Sequence, residues 1–137
     1  MHSDINGITK VCANADFDLD AADASDHEGA ARAIAAGLSE GHSSGKPGYW
    51  LHTGGTGILT WEDTKYNRLG ESTDHVYNDG EGISELTNLP DEAFHRNVDK
   101  IVLDAGSKYS DSVKTVIVAP PTIYGSVDSE VAFARNY

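Results

Sequence analysis

The run Thr115-Val-Ile-Val-Ala119 constrains this chain more than any other feature. Three apolar β-branched residues in succession, Val116, Ile117 and Val118, with no polar alternation, suit a strand buried on both faces, as in a parallel sheet. Pro120-Pro121 ends it. Parallel strands need crossover connections, usually helices, and two helical patterns precede this run. In the first, Ser25 and Glu28 form a capping box, followed by Ala31, Ile34, Ala35 and Leu38 at helical spacing. Gly41 is its stop. In the second, Pro90-Asp-Glu opens a stripe of Phe94, Val98, Ile101, Val102 and Ala105, with Gly106 near its end. Between them Tyr49-Trp-Leu-His-Thr53 reads as a strand running into Gly54-Gly-Thr-Gly57. Strand, helix, strand is βαβ grammar, and the fold class expected is α/β.

The rest of the chain is less regular. Ile8 to Ala13 reads as a brief strand, and Asp16, Asp18, Asp20 and Asp23 as a solvated acidic segment. Residues 41–48 are a surface loop. Residues 61–89, rich in Asp, Asn, Gly and Thr, read as a long irregular connection, which in a compact domain is usually functional or disordered.

Composition narrows the function. The 137 residues are one domain's worth of chain. Ten Lys+Arg against 22 Asp+Glu give a net charge of −12, which repels phosphate backbones and anionic lipid. Nucleic acid and membrane are therefore not expected as partners. No apolar run approaches the ~20 residues of a spanning helix, and Met1 to Lys10 has no secretory pattern. Cys12 is the single cysteine, so neither an intrachain disulfide nor a multi-Cys zinc site can form. A cytoplasmic location is expected.

Several chemistries fail on spacing. Counting from Asp16, an EF-hand loop would have Ala21 in place of its glycine and His27 in place of its closing glutamate. Gly41 to Lys46 is one residue short of a phosphate loop, with Pro47 in place of the Ser/Thr. Gly55-Thr-Gly57 lacks the third glycine of a dinucleotide fingerprint. The six histidines, at 2, 27, 42, 52, 75 and 95, include no metal-binding pair, so no metal is expected. No Gly-x-Ser-x-Gly elbow occurs, and Cys12 reads as a small buried hydrophobe. Two segments remain, Leu51 to Gly57 and Ala119 to Gly125. Both bring hydroxyls and glycines to strand C-termini, where open α/β sheets bind ligands.

The pair His52-Thr-Gly-Gly-Thr-Gly57 and Pro120-Pro-Thr-Ile-Tyr-Gly125, preceded by Ala22-Asp-Ala-Ser-Asp-His27, resembles the extended and atypical short-chain dehydrogenase/reductase superfamily. The likeness is to its NAD(P)-binding, epimerase/dehydratase-type branch, which includes nitrogen-repressor-like members, and covers roughly Val11 to Gly125. It implies a single partial Rossmann-like domain over 1–137, truncated at its N-terminus, with 126–137 a divergent tail. It implies NAD or NADP as cofactor and a small carbonyl, hydroxyl or sugar-nucleotide substrate. Thr53 or Thr56 would lie near the catalytic Ser/Thr, and His95 and Asp99, four apart, would occupy the slots of the family's Tyr-x-x-x-Lys pair. Gly55, Pro121, Thr122 and Ile123 would meet the cofactor. This chain departs from the family in lacking both the Tyr-x-x-x-Lys pair and the glycine-rich pyrophosphate loop. The alternatives are a non-catalytic dinucleotide-sensing or regulatory module, or an inactive fragment that associates with a partner. A sheet this small also implies self-association through its exposed edges.

Overall fold

A computed structural model of the chain describes residues 4–21 and 24–121; the tail at 126–137 lies outside them. The elements in order are α1 (Ile5–Cys12), β1 (Phe17–Asp20), α2 (Glu28–Gly41), β2 (Gly48–Thr53), α3 (Trp61–Tyr66), α4 (Ile83–Thr87), α5 (Arg96–Lys108) and β3 (Val113–Val118). The three strands make one sheet in the order β1-β2-β3, both pairs parallel. The expected α/β class and βαβ order hold, and the result is consistent with part of a Rossmann-like sheet.

The sheet advances in one direction, so right-handed crossovers put α2 and α5 on the same face. There Ala31, Ile34 and Leu38 of α2 and Val98, Val102 and Ala105 of α5 close over Trp50 and Val113, with Cys12 of α1 at the margin. The expected periodicity of both helices is what builds this core. A smaller cluster of Ile58, Leu89 and Ala93 packs with Trp61 and Tyr77. It gives residues 61–89 two short helices and a core of their own, rather than a wholly irregular path.

Several local expectations are corrected. Residues 8–13 are not a strand but lie mostly in α1, whose N-cap Asp4 accepts a hydrogen bond from the Gly7 amide at 2.9 Å. Helix spacing then turns Ile8 and Cys12 onto α2. The close approach of these helices rests on two glycines: a Cβ on Gly37 would meet the Thr9 carbonyl, and one on Gly41 the Ala13 carbonyl. The cap of α2 is His27 rather than Ser25, its Nδ1 accepting from the Ala30 amide at 3.0 Å. Glu28 instead accepts from Arg32 and Asn97.

The second helix begins at Arg96, not Pro90. His95 precedes it with φ 63°, a left-handed conformation that breaks the stripe and leaves Phe94 exposed. It runs past Gly106 to Lys108, with Gly106 set against the Thr115 side chain.

β3 is not buried on both faces. Val116 and Val118 share an open face with Phe17, Leu19 and Tyr49, all of them exposed. No helix among the described residues is long and apolar enough to cross a membrane.

Candidate functional site at the strand ends

The parallel strands bring their C-termini together, so Asp20, His52 and Gly54 converge with the start of α5. Alternation along each strand decides which side chains meet. Asp20 and His52 are register partners and face the helices, and so does Ile117 beside them. Thr53, one residue on, faces the opposite, open side. It is therefore parted from His95 and Asp99 by the sheet itself.

His52 has no solvent exposure. Its Nδ1 donates to Asp20 Oδ2 at 3.1 Å, and its Nε2 lies 3.6 Å from Asp99 Oδ1. Burial opposes charge on the ring, but the two carboxylates outweigh it and hold the pKa up at about 9. The imidazolium is thus a bolt joining β1, β2 and α5. A side chain added at Gly54 would stand against Asp99 and Ile117, so this glycine lets the chain pass directly over the bolt.

Above it, the turn after β2 is tied to the end of β3. The Gly54 amide donates to the Val118 carbonyl at 2.9 Å, and both the amide and the hydroxyl of Thr56 donate to the Pro120 carbonyl at 3.3 Å. Gly55 is extended, and a side chain there would meet nothing within 4 Å. His95 Nδ1 donates to Asp26 Oδ1 at 2.9 Å, and its ring stacks obliquely on Phe94, with centroids 3.8 Å apart.

Of the residues expected at a site, the structure brings Gly55 and Thr56 to one strand-end turn, tied by Thr56 to the Pro120 carbonyl next to Pro121. His95 and Asp99 share a helix start but not a task, since His95 pairs with Asp26 and Asp99 with His52. Thr122 and Ile123 lie outside the described residues. The acidic segment is corrected as well: Asp18 and Asp20 belong to β1 and face the helices rather than standing solvated. Sequence reasoning missed Asp20 and His52. Their only sequence signal is strand alternation, Asp18/Asp20 on one strand and Trp50/His52 on the next, and it acts only once the register is known.

Cys12 is buried, and burial, then the hydrogen bond to Asp18 and the charges of Asp18 and Asp20, push its thiol up to about 12. Among the described residues no cluster of His, Cys, Asp and Glu is arranged to hold a metal.

Compared with known proteins, the chain is 37% identical over 122 residues to a protein named oxidase ucsJ, from an Acremonium species. The match takes in 89% of this chain and 34% of that protein, so the chain spans about a third of the length of the curated relative it matches. It is a distant homologue of that oxidase. No family model matches the chain, and no solved structure does.

Proposed function

We propose that this chain forms part of an NAD(P)-binding oxidoreductase of the epimerase/dehydratase type, acting on a small carbonyl, hydroxyl or sugar-nucleotide compound. The observation that carries the reading is the 37% identity to an oxidase in a chain whose parallel strands end together. Ligands of open α/β sheets bind at that end. The clear space over Gly55 fits the approach of a flat ring to the backbone. Thr56 uses its hydroxyl proton on Pro120, which leaves its oxygen as an acceptor toward a ligand. These residues, with His95 and Pro121, fit the nicotinamide end of a dinucleotide, whose chemistry when bound is hydride transfer. The pyrophosphate cradle is no part of these 137 residues.

A non-catalytic dinucleotide sensor is the second reading. One observation favours it: His95 and Asp99, which stand in for the family's proton-transferring pair, are engaged by Asp26 and His52 respectively.

Calorimetric titration of NADPH and NADH into the purified chain tests both. Binding tighter than about 100 μM, roughly 5.5 kcal/mol, supports them, and Gly55→Asp should weaken it by putting a side chain into the space over the backbone that the ring would occupy. A folded chain that gives no heat with either nucleotide sinks both. Cofactor consumption that disappears in His95→Gln while binding persists selects the oxidoreductase.

A further inference from the structure

β1 is an edge strand whose outer side is unusually well prepared for a neighbour. The Asp16 carbonyl accepts from the Tyr49 amide, so Asp16, Asp18 and Asp20 direct their backbone toward β2. Alternation then turns the amides and carbonyls of Phe17 and Leu19 outward, where no strand of the described residues meets them. Beside this edge runs a groove of about 550 Å³. Ile8 and Val11 of α1 and Ile34 of α2 form its apolar wall, while Asp18, Asp20 and Leu19 form its strand side. Val11 is 65% exposed there, and Leu19, on the open side of the same edge, is 61% exposed. Asp18 Oδ2 is buried from solvent and has no hydrogen-bond partner among the described residues.

We propose that this edge and its groove receive an extended segment of another polypeptide, which adds to the sheet as a strand beside β1. Its chemistry follows from what it would face. On the helix side it meets the carboxylate of Asp18, whose unpartnered Oδ2 calls for a lysine, an arginine or a hydroxyl donor, while Asp20 beside it is already paired with His52. On the open side it meets Phe17 and Leu19, which call for β-branched apolar residues. The net charge of −12 favours the same basic partner at long range.

A second copy of this chain fits poorly. Antiparallel pairing of two β1 edges, with like faces aligned, sets aspartates against aspartates, and like charges directly opposite are destabilising. A one-residue slip turns the covered face of one sheet to the open side of the other.

The test uses the full chain and a capped seven-residue peptide of alternating valine and threonine with lysine at its centre, together with a twin carrying glutamate there. Amide exchange by NMR reports on the edge. In the free chain, Phe17 and Leu19 exchange rapidly. With the lysine peptide both slow at least tenfold, the glutamate twin binds at least ~10-fold more weakly, and Asp18→Asn abolishes that discrimination. The proposal is overturned if the lysine peptide at about 1 mM leaves Phe17 and Leu19 unchanged, or if the two peptides bind alike. It is also overturned if both amides are already protected in a dimer of the chain alone, seen by sedimentation. The peptide comparison is made on the unmutated chain, so it stands even if Asp18→Asn folds poorly.

Discussion

His52 Nδ1 donates to Asp20 Oδ2 at 3.1 Å across paired positions at the ends of β1 and β2. With Asp99 on the other side of the ring, the cluster carries one buried cation between two carboxylates. Taken apart it is costly, because breaking one partner of a buried pair strands the remaining charge. Its place at the strand ends makes it the fixed floor beneath the turn at Gly54 to Thr56.

Stability should fall as the solution becomes alkaline. The folded pKa of His52 is raised to about 9 from an ordinary 6.5. Its stabilisation is therefore complete below about pH 6.5 and is lost as pH rises through about 9. The full difference is roughly 3 kcal/mol. Urea melts at pH 6 and pH 9.5 should differ by about that amount, and His52→Asn should flatten the difference. Equal midpoints for the unmutated chain would show that His52 is not held charged.

Asp99→Asn should lower the titration midpoint of His52, because one of two carboxylates is removed while the Asp20 hydrogen bond remains. The loss in stability near pH 7 should be about 1–3 kcal/mol. NMR titration of the His52 ring reads the shift directly. An unchanged midpoint would mean that Asp20 alone sets it.

The glycines between α1 and α2 allow an internal control. Gly37→Ala puts a methyl against the Thr9 carbonyl and the Cys12 side chain, with no free space. Overpacking of this kind costs about 1–3 kcal/mol. At Gly45 a Cβ meets nothing within 4 Å, so Gly45→Ala should change the thermal midpoint little. Similar midpoints for the two variants would contradict the tight helix crossing.

Cys12 should be inert in the folded chain. Its pKa, raised from 9.0 to about 12, cuts the thiolate fraction at pH 8 by roughly a thousandfold. Reaction with a thiol-specific disulfide reagent should be slow until urea unfolds the protein. Rapid modification of the folded chain would show that α1 opens readily.

Much of the fold was legible because its signals are local. Ala31, Ile34 and Leu38 mark a helix face by spacing alone, and Tyr49 to Thr53 mark a strand by composition. What was not legible depends on partners remote in sequence. Ile8, Thr9 and Val11 are β-branched and read as strand, yet their segment is helical because Asp4 caps it and Gly37 and Gly41 let it dock. The apolar run at Val116 to Val118 announces a strand but cannot say whether both faces are covered; helices cover one. Asp20 looked solvated among other aspartates, since the histidine that buries it lies 32 residues away. The strand-end turn at Gly55 and Thr56 was visible in the sequence. The bolt beneath it was not, because strand register is a tertiary fact.

The most direct measurement is a backbone amide shift map during NADPH titration. If the strand ends bind the dinucleotide, the amides that move first are those of Gly54, Gly55, Thr56 and His95, while those along the groove beside β1, and those of the cleft that Glu28 and Arg32 of α2 line with Lys100 of α5, stay still. Shifts confined to Glu28, Arg32 and Lys100 in that cleft, or none at saturating nucleotide, would contradict the proposed site.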